Sequence, residues 1–137
     1  MADQLQFELV SPERLLLARP VEMVVVPGAE GDFGALPGHA PFVSTLRPGV
    51  IAVFDGGRVT ERIFVAGGFA EVTAERCTVL AERAMPVDRI ERAAAEAELR
   101  AARDDLADAK TDAERAAAEK RIAVGEAMLA ALEGSVY

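Results

Sequence analysis

Apolar and polar positions follow two different periods along this chain, and the change from one to the other divides it. In the first part the period is two. Leu5, Phe7 and Leu9 alternate with polar neighbours, as in a strand with one buried face. Val21 to Val26 is a nearly continuous apolar run closed by Pro27-Gly28, and Phe42 to Leu46 runs into Pro48-Gly49. Val50 to Phe54 meets Asp55-Gly56-Gly57, a sequence that permits positive φ at a hairpin tip. Arg58 to Ala66, Phe69 to Thr73 and Thr78 to Glu82 continue the series. Short strands between turn signals at this spacing predict a β-sandwich or flattened barrel, with an open sheet covered by helices as the alternative.

After Pro86 the period lengthens to steps of four and three. Ala95, Leu99, Ala102, Leu106 and Ala109 form one stripe, and Ala118, Ile122, Gly125, Leu129 and Leu132 form a second. Asp88 with Glu91, and Thr111 with Glu114, have the spacing of capping boxes. They predict one helix from Asp88 to about Lys110 and another ending at Gly134 as a C-cap. Two matched stripes joined by a short turn predict an antiparallel hairpin. Its seam is mostly Ala, which buries little area per turn, and Gly125 in mid-helix costs about 1 kcal/mol relative to Ala. So thin a hairpin has either to lean on something else or to move.

Composition places the boundary at the same point. All six Phe, all seven Pro and nine of the eleven Gly lie at or before Pro86, whereas residues 86–137 hold 16 Ala and 20 charged side chains. The expected units are residues 1–86 and residues 87–137. The net charge of −8 over 137 residues argues against nucleic acid and against adsorption to anionic lipid. No apolar run reaches the roughly 18 residues of a membrane span, so direct membrane insertion is not expected. The first residues lack the pattern of a signal peptide, and Cys77 is the only cysteine, so a reducing, cytosolic setting is expected.

Candidate chemistry is sparse. His39 is the only histidine, which leaves no His pair for a metal, and there is no Gly-rich phosphate loop. Cys77 reads as a packing residue, Asp104-Asp105 as solvated helix surface, and Gly67-Gly68 as a bend in the sheet. The segment that stands out runs from Gly31 to Pro41, Gly-Asp-Phe-Gly-Ala-Leu-Pro-Gly-His-Ala-Pro, with three Gly, two Pro and the histidine. So much backbone definition suits a sharply turned binding loop, or equally a structural crossover in which His39 caps a buried carbonyl.

That segment resembles the G-[DE]-x-G-x-x-P-G-H-A-P block of the epsilon subunit of rotary proton-translocating ATP synthases. Leu9-Val10-Ser11-Pro12-Glu13, Arg47-Pro48-Gly49, Val65 to Val72 and Thr78 to Glu82 resemble further blocks of that family in the same order. The resemblance implies a ten-stranded sandwich followed by a helical hairpin. It implies a non-catalytic central-stalk subunit, bound to the gamma subunit and to the polar loops of the membrane-embedded c-ring. Such a subunit couples proton flow to ATP synthesis at the cytoplasmic face of the bacterial inner membrane. By motif position Asp32, with Gly31 and Phe33, would face the c-ring, and Ser11, His39 and Ser44 would face gamma.

In that family the hairpin can extend towards the alpha and beta catalytic subunits and block ATP hydrolysis. Arg115, Lys120 and Arg121 are the basic side chains that could serve this, although residues 86–137 carry 8 basic and 12 acidic groups. Some members bind ATP as a regulatory ligand through [IL]-D-x-x-R-A. Here Asp88, Arg92 and Ala93 stand in Val87-Asp88-Arg89-Ile90-Glu91-Arg92-Ala93, with one residue too many between Asp and Arg. The resulting i,i+4 spacing would keep Asp88 and Arg92 near one helix face. No other cofactor and no metal is implied. A stand-alone adaptor and a nucleotide-sensing regulator are the competing classes.

Overall fold

The computed structural model describes residues 4–134. Its strands are β1 (Leu5–Val10), β2 (Leu15–Val21), β3 (Met23–Gly28), β4 (Gly31–Ala35), β5 (Phe42–Thr45), β6 (Gly49–Asp55), β7 (Arg58–Val72) and β8 (Arg76–Pro86). A 3-10 turn over Val87–Arg89 leads to α1 (Arg92–Asp108) and α2 (Asp112–Leu132). The strands pair in the order β2-β1-β8-β7-β6-β3-β4, with β5 alongside β7. Every pairing is antiparallel except that of β1 with β8.

The sandwich and the hairpin agree with the sequence expectation, but the strand count is eight among the described residues, not ten, and the sheet does not close into a barrel. Arg58 to Ala66 and Phe69 to Val72 belong to one strand of 15 residues, β7, which stops one residue before the expected Thr73. Its first half pairs with β6 and its last residues pair with β5. Gly67 and Gly68, at φ +73° and +106°, bend it between the two halves. The chain breaks opposite the bend, between β5 and β6, where the Leu46 amide donates to the Gly68 carbonyl over 3.0 Å. This corner folds one hydrogen-bonded path into two layers. A Cβ on Gly68 would lie 1.9 Å from the Leu80 carbonyl oxygen, so only glycine lets β7 and β8 stay together there.

Two strands depart from the sequence expectation. The sequence predicts no strand at β2, because Leu15-Leu16-Leu17 does not alternate and Pro20 argues against a central strand; it lies at the sheet edge, paired with β1 alone, where proline is tolerated. The first half of the Gly31 to Pro41 segment is a strand, β4, paired with β3, so the loop proper begins at Leu36.

The inward residues of both layers meet in one core. It holds Leu5, Phe7, Leu9, Val21, Val24, Val26, Ile51, Val53, Val65, Val72 and Val79. Cys77 is part of it, and burial pushes its thiol up to about 12, as suits a packing residue and not a nucleophile. Arg19 links the free edge of β2 to the other layer. Its guanidinium donates to Asp55 over 2.8 Å and to Glu61 over 2.6 Å. The hydrogen bond from Arg19 holds the Asp55 carboxyl below its ordinary range.

The hairpin leans on the sandwich. Phe64 and Ala66 of β7 pack with Ile90, Ala95, Met128 and Ala131 in a second, smaller core. The seam buries Ala95, Leu99, Ala102, Ala118 and Gly125 as expected, while Leu106, Ile122, Leu129 and Leu132 are only half-buried. Met128 and Ala131, off the stripe, face the sheet. Gly125 has a reason: a Cβ there would come 3.1 Å from Leu99 Cβ, so the glycine sets how closely the helices approach.

Thr111 caps α2 as expected, its hydroxyl accepting from the Glu114 amide over 3.0 Å. The capping box at Asp88 does not form. Asp88 sits in the 3-10 turn, α1 starts four residues later behind Glu91, and no side chain caps it. It ends at Asp108, two residues before the predicted Lys110.

Two stability outcomes follow from this packing. Gly68→Ala combines a disfavoured φ with a backbone clash and is expected to lower unfolding free energy by roughly 3 kcal/mol or more, read from urea melts. Arg19→Met removes a half-exposed ion-pair cluster and is expected to cost no more than about 1 kcal/mol at neutral pH. Because Asp55 titrates lower when folded, its contribution is present above the unfolded carboxylate pKa, about 4, and is lost as pH falls through the folded value. The stability of Arg19→Met should therefore fall less steeply than wild type below about pH 4.

Candidate docking faces

Three surfaces hold the residues singled out in the sequence. The first is the β3–β4 turn and the loop that follows β4. Asp32 lies opposite Pro27 in the β3–β4 register, and Gly31 lies opposite Gly28. Gly31 and Asp32 are exposed, so the tip is open to a partner. Phe33 is half-buried and packs edge-on against Phe42, with ring centroids 5.0 Å apart. Asp32 is ion-paired with Arg47, whose guanidinium also donates to the Gly28 carbonyl over 2.6 Å.

His39 does not cap a buried carbonyl. Its Nδ1 bonds the exposed carbonyl of neighbouring Ala40 over 2.6 Å, and the ring tilts towards Phe42. Loop geometry comes from the backbone: the Gly38 amide donates to Ala74 over 2.7 Å, and the His39 amide donates to Leu36 over 3.1 Å.

The second surface is the outer face of the β5-β7-β8-β1-β2 layer. Phe69 pairs with Leu80, Leu80 with Val10, and Val10 with Leu15, so these four side chains form one row across four strands. They face away from the core, and Leu15 (56%), Phe69 (43%) and Leu80 (38%) stay substantially exposed. Val43, 63% exposed, extends the apolar area along β5. The Glu8–Arg76 ion pair, at 2.9 Å, supplies a polar flank. Scattered exposed apolar residues are ordinary; an aligned row of them is not.

Ser11, immediately after Val10, stands at one end of this row in a turn closed by its bonds to Arg14. His39 lies towards the opposite end of the layer, beside the β7–β8 turn. Ser44 pairs with Ala70, whose side is buried, and its hydroxyl contacts the Gly28 position. The three predicted gamma-facing residues are therefore brought to the edges of one layer and not into one cluster. Sequence reasoning missed the row between them. The signal was present: Phe69 and Leu80 occupy the outward phase of strands whose inward phase is Ala70, Val72, Cys77, Val79 and Ala81.

The third surface is the hairpin. Arg83 of β8 holds it with a forked bond to Glu98, at 3.2 and 3.1 Å. A cleft of about 480 Å³ opens between the sandwich corner and the helices, lined by Glu82, Arg83, Glu98, Lys120 and Arg121 among others. Arg121 pairs with Asp105 across the seam, and Arg115 pairs with Asp112.

Asp88 and Arg92 do not share a helix face, because Asp88 belongs to the turn before α1. Arg92 instead reaches Glu133 at the end of α2, over 2.9 Å. Ala93 is exposed in the first turn of α1. No helix among the described residues is long and apolar enough to cross a membrane.

Residues 4–87 match the family model for the ATP synthase Delta/Epsilon chain beta-sandwich domain. The ATP synthase epsilon chain of Rhodospirillum rubrum is 58% identical over 134 residues, spanning 98% of this chain and 100% of that one. This chain belongs to the ATP synthase epsilon chain family. The epsilon chain of Paramagnetospirillum magneticum is also 58% identical, across 96% of this chain and 99% of its own length. Likeness in structure extends further. A chain in the Euglena gracilis mitochondrial ATP synthase (OSCP/F1/c-ring, rotational state 1) superposes with a TM-score of 0.83 at 27% identity, covering 96% of this chain and 83% of that chain. Both the sandwich and the hairpin thus lie within the span shared with epsilon chains.

Proposed function

We propose that this chain is a non-catalytic central-stalk subunit of a proton-translocating ATP synthase, coupling rotation of the c-ring to ATP synthesis in the catalytic head. Residues 1–86 serve as the docking body and residues 87–137 as the regulatory arm. The observation that carries this is the exposed row of Phe69, Leu80, Val10 and Leu15 on a sandwich whose core is already complete. An aligned apolar row costs solubility, and it is explained when a partner covers it. In the stalk that partner is gamma, with Ser11 beside the covered strip; His39, at the far end of the layer, and Ser44, on the side of buried Ala70, lie off the strip. The tip formed by Gly31, Asp32 and Phe33 then meets the polar loops of the c-ring. Such a subunit sits peripherally, at the cytoplasmic face of the bacterial inner membrane.

The hairpin supports a second role in the same complex. Its contact with the sandwich includes a small core and the forked Arg83–Glu98 ion pair, and exposed pairs of that kind are worth about 1 kcal/mol or less. An arm so lightly held is suited to leave the sandwich and meet the alpha and beta subunits, restraining ATP hydrolysis. The separation of Asp88 from Arg92 gives ATP sensing by that motif no comparable support.

The test is affinity for partner subunits. Full-length chain should co-purify with alpha, beta and gamma, and Leu80→Glu should weaken retention roughly tenfold or more, since a charge would be forced into an apolar contact. A monomer without such partners would instead make it a stand-alone adaptor. Deleting residues 88–137 should raise ATP hydrolysis by the assembled enzyme while preserving retention; unchanged hydrolysis would remove the braking role alone.

A further inference from the structure

The Arg47-Pro48-Gly49 segment has no part in the function so far, yet Arg47 and Gly49 both contact the turn that carries Asp32. Gly49 lets Pro27 close over it: a Cβ there would lie 2.9 Å from Pro27 Cβ. Pro48 lies in the gap between β5 and β6, the two strands that pair with successive parts of β7. The Arg47 amide donates to the Pro27 carbonyl over 3.0 Å, and Ala29 donates to Thr45 over 2.8 Å, so the base of the turn is bonded to the same segment. From that anchored backbone the guanidinium spans the turn, with Nη1 on the Gly28 carbonyl and Nη2 on Asp32 Oδ1.

This fork fixes more than the fold of the turn. Asp32 faces the tip from a strand edge, and about a third of its side chain stays open to solvent beside Arg47. A lone exposed carboxylate samples several rotamers and must be ordered when a cation meets it. One oxygen held by a guanidinium that is itself anchored on a carbonyl gives the group a single direction. We propose that Arg47 is a positioning residue for docking: it orients the Asp32 carboxylate so that a basic side chain on the partner loop meets a fixed acceptor. This rests on the proposal that the Asp32 tip docks on the c-ring. It predicts that the contact depends on the forked geometry of arginine and not on positive charge alone, because a lysine cannot hold Gly28 and Asp32 as a planar pair.

The experiment uses membrane vesicles carrying the assembled synthase and reads the ratio of proton pumping to ATP hydrolysis across a series of KCl concentrations. Asp32→Asn should lower the ratio roughly two- to fivefold at low salt, the span of an exposed charge contact, and should flatten its salt dependence. Arg47→Met should do the same, and Arg47→Lys should resemble Arg47→Met. The double variant Asp32→Asn/Arg47→Met should be no worse than Asp32→Asn alone, because Arg47 acts through that carboxylate. If the effects multiply in the double variant, or if lysine restores the wild-type ratio, the positioning role is wrong although the tip still docks. If Asp32→Asn leaves both ratio and salt dependence unchanged, the docking proposal fails first and the positioning role with it. Should Arg47→Met assemble poorly, Arg47→Lys still decides between geometry and charge.

Discussion

At the corner of the sandwich the backbones of β7 and β8 run too close for any side chain between them. Gly68 faces the Leu80 carbonyl at a distance no Cβ could occupy, and the Leu46 amide bonds the Gly68 carbonyl from the other side. This one close approach lets a 15-residue strand belong to both layers, and the remaining features follow from it. It parts β5 from β6 at Leu46-Arg47-Pro48, where the Arg47 amide bonds the Pro27 carbonyl at the base of the β3–β4 turn. It also turns Phe64 and Ala66 towards the helices, while leaving Phe69 and Leu80 on the outer face. The sandwich core, the hairpin seat, the exposed row and the Asp32 tip are thus consequences of a single bend.

The hairpin is held differently. Inside the sandwich, large aliphatic side chains are fully buried, each worth about 1.5–3 kcal/mol. Against the sheet, the hairpin sets Ile90, Met128 and small alanines as its buried members, with Val124, Leu129 and Leu132 only half-buried. The two parts therefore differ in what it takes to separate them, which suits a rigid docking body and a lightly attached arm.

Much of this was legible in the sequence. Period-two alternation located β1, apolar runs closed by turn residues located β3 and β6, and the change of period after Pro86 located the hairpin. Thr111 was recognised as a cap because its partner Glu114 is local. What failed was whatever depended on distant neighbours. Gly67-Gly68 reads as a bend in the sheet, but only the pairing of β7 with both β5 and β6 places that bend inside one strand. Gly125 reads as a weak point, and only the closeness of Leu99 gives it a packing role. The Asp88 capping box had the right residues, but the chain had not yet left the sheet there, so a 3-10 turn took its place. For the docking faces, the motif marked Asp32 and His39, while the apolar row emerges only when four strands are set in register.

The most direct test of the central claim is a cryo-EM map of the assembled synthase containing this chain. Leu15, Phe69 and Leu80 should be covered by the gamma shaft, with the turn bearing Asp32 against the c-ring loops. A map in which that row remains open to solvent, while another face of the sandwich meets the shaft, would contradict the account.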